Sequence, residues 1–520
     1  MPAWAALWHH PQTWPALGMT LWTGLCATLL STVITASILS RWLAADNTAH
    51  RVDRWARWMS PLLSVPHAAF AIGMVALIAP GGWLLRAASP WLTGLENPPA
   101  WATTQDPWGL GLIAVLVLKE VPFLLWAALA HLQQPGVQAQ LRRSLQLAAT
   151  WGYTEPQAWW RVGWPPLAQA LTAPLLAVLA YSLTVVDMAL VIGPTTPPTL
   201  SMLAWQWLQD ADAATNAQGA SAAWLLLAAL LACTGMAALW RAWPLWRARR
   251  WRGVSRCARD RRPLRNPISN MAVPVLLGTY GAVLAALAVG SVSGPWPFPQ
   301  WLPEVWTLRA WDGVVQSSST VWLSMALGAA SAGTALVWVV AWLEWAPPVW
   351  QQRLRPLWLL PLVLPAVLWV VGLHRVSLAW GIDGSVTGLW LAHTLSALPY
   401  VLIALQGPYG GFDPRLAHLT AALGRSPVAF LWQVKWPLLR SALAAAFAVG
   451  FAVSVAQYLP TLYVGAGRFQ TVTTEAVTLA SGGQRALTAA YAWLQWLLPM
   501  GMFGLAAWSG RARRWPAAAQ

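Results

Sequence analysis

Gln146-Leu147-Ala148-Ala149-Thr150-Trp151-Gly152 lies in a polar, basic stretch between two long apolar runs, and Pro165 follows thirteen residues after the glycine. The chain repeats this as His418-Leu419-Thr420-Ala421-Ala422-Leu423-Gly424, with Pro437 again thirteen residues on. Around each glycine the residues spell helix, break, helix. In the first copy a helix through Leu145, Ala148 and Ala149 is expected to stop at Gly152, which is free to turn left-handed. Thr154 and Gln157 then have the spacing of a capping box for the next helix. The second copy places Ser426 at the N-cap and Pro427 at the first helical position. Pro165 and Pro437 are expected to open the apolar span that follows. A short helix with an apolar face, held outside a membrane, needs a protein groove to cover that face. Two such loops in one chain therefore read as a paired docking device.

The rest of the chain places those loops beside a bilayer. Of 520 residues 58% are apolar and only 9% are charged. Apolar runs long enough to cross roughly 30 Å of hydrocarbon as helices recur along the whole length. They are continuous rather than alternating, which excludes a β-barrel and defines an all-α polytopic membrane protein. Eleven spans are expected, near 17–40, 59–84, 109–131, 166–193, 222–243, 271–291, 317–343, 357–373, 385–406, 438–464 and 487–509. Sorting Lys and Arg into alternate loops puts 26 on one side and 5 on the other. The rich side holds both repeated loops and ten arginines between Arg241 and Arg265. By the positive-inside rule this side is cytoplasmic, Met1 is outside and the C-terminus inside. The net charge of +16 is then a topology signal, aided by anionic headgroups, and not a nucleic-acid signal. Residues 1–19 contain no Lys or Arg, so the first span does not read as a cleaved signal peptide.

Two halves follow from the repeat. Leu118-Lys119-Glu120-Val121-Pro122-Phe123 precedes the first loop and Leu395-Ser396-Ala397-Leu398-Pro399-Tyr400 the second. Gly193 and Thr199 follow the first with the spacing of Gly465 and Thr471 after the second. The expected division is a first half 1–243 with five spans and the loop 141–165, an arginine-rich cytoplasmic linker 244–268, and a second half 269–520 with six spans and the loop 413–437. Both loops on one side make these parallel repeats. Cys26, Cys233 and Cys257 give no disulfide framework and read as free thiols. The 42 tryptophans exceed what interfacial belts require.

The loops resemble the pattern Glu-Ala-Ala, three residues, Gly, then a hydrophobic residue and Pro of binding-protein-dependent ABC importer permeases. Ala148, Gly152 and Pro165 match in the first copy, Gly424 and Pro437 in the second; Gln146 and His418 stand where Glu is expected. A wider resemblance, to the Ynj-type inner-membrane permeases and the similar fused thiamine and ferric-iron permeases, rests on two regions. One is Asp187 through Pro198 with Ala204-Trp205-Gln206-Trp207-Leu208; the other is Val453 through Thr461, Gly465 through Phe469 and Thr473 through Val477. The resemblance implies two ABC type-1 transmembrane halves in a bacterial inner membrane. It also implies that Gln146, Ala148, Gly152, Pro165, His418, Gly424 and Pro437 belong to coupling loops that dock on a separate ATPase, present in two copies. A periplasmic binding protein would deliver the solute.

Both lysines, Lys119 and Lys435, follow an apolar residue, so no Gly-Lys-Ser/Thr phosphate loop exists. The chain is expected to bind no cofactor, ATP and Mg being used by the partner. No catalytic or metal-binding spacing is present, and His67 and His393 read as core histidines. Lys119, Glu120 and Asp187 fall inside spans, where each would cost on the order of 2.5–3.5 kcal/mol unless it faced protein or water. A Lys119–Asp187 pair locking two helices is one expectation; a solute path lined by Lys119, Glu120, Asp187, Gln457 and Tyr458 is the other. Glu120 and Asp187 also keep open an ion-coupled secondary transporter built from parallel repeats. A self-contained carrier has no use for the paired loops.

Overall fold

A computed structural model describes residues 2–44, 62–134, 136–242 and 267–510. The linker up to residue 266, Cys257, and the basic residues Arg51, Arg54, Arg57, Arg511, Arg513 and Arg514 lie outside the described residues. Within them the protein is helical, with two isolated β-bridges. Eight helices are long and apolar enough to cross a membrane, and two bent pairs raise the number to ten. The last expected span is the 26-residue helix Arg485–Gly510, whose Gln495 and tryptophans dilute its apolar character.

The bent pairs correct two expectations. The run 166–193 is not one helix: helices Glu155–Ala170 and Thr172–Thr184 meet at 73°, and a further break at Val185-Val186 precedes the short helix Asp187–Ile192. The run 357–373 falls across a 106° bend between Pro348–Val363 and Ala366–Ala379. Span 438–464 is likewise broken after Val455, before Leu459–Val464. Hydropathy measures how long a segment is apolar but does not report its direction.

By packing the chain forms two units. The first takes residues up to Trp306 with Val363–Leu368, and the second takes Thr307–Leu362 with Trp369 onward. The division by packing is not the division by repeat. Helix Pro267–Ser291, which follows the linker, packs on helices His67–Ile78 and Thr13–Ala44 of the first unit.

The same plan builds each unit. In the first, helix Thr13–Ala44 packs on Leu110–Leu132 and Thr172–Thr184, and short helix Pro2–His9 packs on Ala213–Ala242. In the second, Ser318–Trp345 packs on Val386–Gly410 and Trp436–Val455, and short helix Arg309–Gln316 packs on Arg485–Gly510. Small residues set how closely the second unit's helices approach. A methyl on Gly450 would meet the Val401 side chain at 2.9 Å and Ala332 at 3.2 Å, and one on Gly328 would meet the Phe451 ring at 2.8 Å. Without a hydrophobic force between helices in lipid, such close packing is the main cohesive term.

Distant hydroxyls complete the broken helices. Ser201 donates to the Val185 carbonyl freed by the first break, at 2.8 Å; Thr473 donates to the Val455 carbonyl at the second. The Leu200 amide donates to Thr20 Oγ1 at 2.7 Å and the Val472 amide to Ser324 Oγ at 2.9 Å. Backbone groups freed in an apolar interior must find partners in the protein. Asp210 and Asp212 are exposed and shape a turn: Asp212 accepts from the Thr215 amide and hydroxyl, both at 2.9 Å. Those bonds hold its carboxyl below the usual range.

Candidate functional site

Both repeated loops have one construction, residue for residue, at an interval of 272. Helix Val137–Thr150 ends in a Schellman turn: Gly152 N–H donates to Ala149 O at 3.0 Å and Tyr153 N–H to Ala148 O at 3.2 Å. Helix Arg415–Ala422 ends with Gly424 N–H on Ala421 O at 2.9 Å and Arg425 N–H on Thr420 O at 3.2 Å. Gly152 has φ +83° and Gly424 φ +71°, and at neither would a β-carbon meet any atom within 4 Å. The left-handed backbone, not crowding, therefore asks for glycine. Thr154 forms the expected capping box, its amide donating to Gln157 Oε1 at 3.2 Å. Ser426 Oγ accepts from the Ala429 amide at 3.2 Å, with Pro427 opening the helix.

Beyond the caps the expected geometry is corrected in part. Pro165 and Pro437 stand in the first turn of α-helices Trp164–Ala170 and Trp436–Val455, as expected, but the continuous helical run begins earlier, at Glu155 and Pro427. Each proline follows a five-residue π-helical turn, Trp159–Gly163 or Leu431–Lys435. Proline removes one amide and crowds the carbonyl four residues back; the wider π turn just before it relieves that crowding without ending the helix.

The loops leave apolar groups uncovered at matching positions. Leu147 and Leu419 are both 60% exposed; Trp151 and Leu423 are 74% and 80% exposed, and Trp160 and Trp432 are also exposed. Gln146 and His418 are exposed beside them, whereas Ala148 is buried. Pro165 is half-buried and Pro437 exposed. Sequence reasoning missed the Trp151/Leu423 and Trp160/Trp432 pairs, which superposing the two copies at the 272-residue interval would have revealed.

An ion pair sets the second copy apart. Lys435, last residue of the second π turn, pairs with Glu344 Oε2 at 2.7 Å and Oε1 at 3.0 Å. Both side chains are 13% exposed. The ammonium also lies 4.7 Å from the Tyr409 ring centre, and Trp436 Nε1 donates to Tyr409 Oη at 3.0 Å. This ties the second loop to the end of helix Ser318–Trp345. Its counterpart in the first loop is Gly163, where a β-carbon would sit 2.8 Å from the Trp159 ring.

The intramembrane groups do not pair as expected. Lys119 Nζ donates to Val65 O at 2.6 Å, with the Tyr280 and Phe70 rings 5.7 and 5.8 Å away. It makes no ion pair with Asp187, which instead accepts from Tyr181 Oη at 3.3 Å. Glu120 is buried beside Lys119. His67 is less isolated than its sequence surroundings suggest, its ring 4.6 Å from that of Tyr181. Gln457 and Tyr458 occupy the second unit's helix break, and Gln457 Nε2 folds back onto Val453 O at 3.2 Å. His393 is a satisfied core histidine, its nitrogens on Ser454 Oγ at 2.8 Å and Thr461 Oγ1 at 3.0 Å. Among the described residues no three His, Cys, Asp or Glu side chains gather as metal ligands.

Two like halves of membrane helices, each with the same uncovered helix–glycine–helix loop, are the features of one class. The chain belongs to the ABC importer permeases. It is 36% identical over 98% of its length, and 92% of the relative's, to the inner membrane ABC transporter permease protein YnjC of Escherichia coli (strain K12). It is 25% identical to the thiamine transport system permease protein ThiP of Salmonella typhimurium, over 90% of this chain and 84% of that one. The molybdenum transport system permease protein ModB of Mycobacterium tuberculosis is 28% identical over 38% of this chain and 76% of its own. No protein-family model matches.

Proposed function

We propose that this chain is the channel-forming subunit of an ATP-driven importer in a bacterial inner membrane. A periplasmic binding protein delivers a small solute, and two copies of a separate ATPase supply the work, each receiving one loop. The observation that carries this reading is the residue-for-residue match of the two loops, with uncovered apolar groups at Leu147, Trp151 and Trp160 and at Leu419, Leu423 and Trp432. Covering a large apolar side chain contributes about 1.5–3 kcal/mol, so three per loop supply ample docking energy. Gln146 and His418 then offer the motor contacts without a carboxylate.

Within the membrane we separate structural from path-lining groups. Lys119 locks the Val65 carbonyl, and Glu120 is its buried neighbour. Asp187 and Gln457, half-buried at the helix breaks, are placed along the solute path with Tyr458. The solute itself is not assigned, since relatives named for thiamine and for molybdenum share the architecture.

ATP and Mg belong to the partner. Purified chain, free of any second polypeptide, is therefore expected to show background ATP turnover only. Turnover that follows this chain through size exclusion without a partner sinks the division of labour. Topology gives a second expected result, with both loops and the C-terminus cytoplasmic and the start of the chain outside. Thr13 is fully buried, so the probe belongs at its exposed neighbour Gln12. Gln12→Cys should react with a membrane-impermeant thiol reagent in spheroplasts and Ser255→Cys should not. The reverse pattern turns the chain over in the membrane.

A further inference from the structure

At the end of helix Ser318–Trp345 the chain turns through Ala346-Pro347 into helix Pro348–Trp358. Gln351 clamps this elbow: its Nε2 donates to Ala346 O at 2.9 Å and to Leu343 O at 3.3 Å. Between the two helices lies a groove of about 580 Å³, lined by Trp338, Ala341, Trp342, Trp345, Ala346 and Trp358. Trp342 and Trp358 stand against each other with ring centres 5.3 Å apart, while Trp338 is partly and Trp345 largely uncovered. No residue of helix Pro348–Trp358 is buried. That helix carries Arg353 and Arg355, and among the described residues neither guanidinium has an ion-pair or hydrogen-bond partner.

Helix geometry relates the cations to the groove. Arg355 is one turn from Gln351 and three residues before Trp358, so it shares the face that meets the groove. Trp338 to Trp345 covers roughly 10 Å of helix axis. An interfacial belt places tryptophans at headgroup level, whereas this slot runs on toward the acyl region. An apolar slot beginning beside unpaired cations fits an amphiphile with an anionic head.

We propose that the elbow binds one anionic phospholipid, its phosphate at Arg355 and an acyl chain lying along Trp338, Trp342 and Trp358; Arg353, on the other side of the helix, adds positive charge at the same headgroup level. The site requires only that the chain spans a bilayer, so it stands apart from the importer reading. Charge selects the occupant. The chain's own linker brings ten arginines between Arg241 and Arg265 and would be repelled. A zwitterionic lipid gains little from two unpaired guanidiniums, whereas each basic residue near the surface strengthens anionic lipid binding about 5-fold. Four of the excess tryptophans acquire a use.

The test is native mass spectrometry of the full chain in mild detergent, titrated with phosphatidylglycerol or with phosphatidylcholine of the same acyl chains. Wild type is expected to retain one phosphatidylglycerol, in preference to phosphatidylcholine. Arg353→Gln with Arg355→Gln should weaken that retention roughly 25-fold. The double Lys variant should keep most of it. Trp342→Ala should lower retention of both lipids, and millimolar inorganic phosphate should not displace the lipid. Equal retention of the two lipids by wild type, or phosphatidylglycerol retention unchanged in the double Gln variant, overturns the site. Displacement by inorganic phosphate also overturns it, since the slot would then contribute nothing. So does a crosslink from Trp345→Cys to residues 243–266, which would show the linker in the groove.

Discussion

Gly424→Pro is expected to cut the permease-dependent ATP turnover of the reconstituted importer roughly 100-fold while the chain stays in the membrane at wild-type amounts, and Gly152→Pro to do the same. Gly424 has φ +71° and Gly152 φ +83°, which proline, fixed near −65°, cannot adopt. Proline also removes the amides that donate to Ala421 O and Ala149 O, and it disfavours the helical conformation of the residue before it. The cost is about 3 kcal/mol or more, which is roughly 100-fold in the population of the docked geometry. Insertion survives because the substitution lies outside the spans. Alanine is the graded control. A β-carbon at either site meets nothing within 4 Å, so only the left-handed penalty of about 1–2 kcal/mol remains. Full turnover by both proline variants would remove the loops from the coupling path.

Lys435→Met should loosen the second loop and leave the first untouched. It strands Glu344 at 13% exposure without a counter-charge. Removing one partner of a buried pair costs about 3–5 kcal/mol and of a surface pair at most about 1, so about 2 kcal/mol is expected at this depth. Amide hydrogen exchange should rise across residues 415–435 and not across 137–163, where Gly163 holds the equivalent place. Exchanging the charges, Glu344→Lys with Lys435→Glu, should restore most of the protection. Equal exchange in wild type and Lys435→Met would mean that packing of Leu431 and Trp436 alone holds the loop.

What was legible in the sequence depended on local chemistry. Gly152 and Gly424 turn left-handed and Thr154 and Ser426 cap the helices as read, because a few neighbouring residues decide each. The helical membrane class followed from runs of apolar residues. The breaks at Val185-Val186 and after Val455 were hidden, because they are completed by Ser201, Thr20, Thr473 and Ser324, remote or across a turn in the chain. Pro165 stands in a first turn, which proline favours, but nothing in its neighbours announced the π turn before it. Lys119 and Asp187 looked like partners because opposite charges in apolar spans need company. A backbone carbonyl and a tyrosine hydroxyl supply it instead. Glu344 went unnoticed, although it is one of few acids near a span end and Lys435 one of only two lysines.

Docking of both loops on the motor is tested most directly by crosslinking. Leu147→Cys and Leu419→Cys are introduced singly into a chain lacking Cys26, Cys233 and Cys257, and the assembled complex is treated with a short thiol crosslinker against single-cysteine ATPase. Each loop is expected to crosslink to one ATPase copy at comparable yield, with Leu84→Cys, exposed and far along the chain from either loop, giving none. Failure of both loops to crosslink in a complex that still hydrolyses ATP would contradict a docking role.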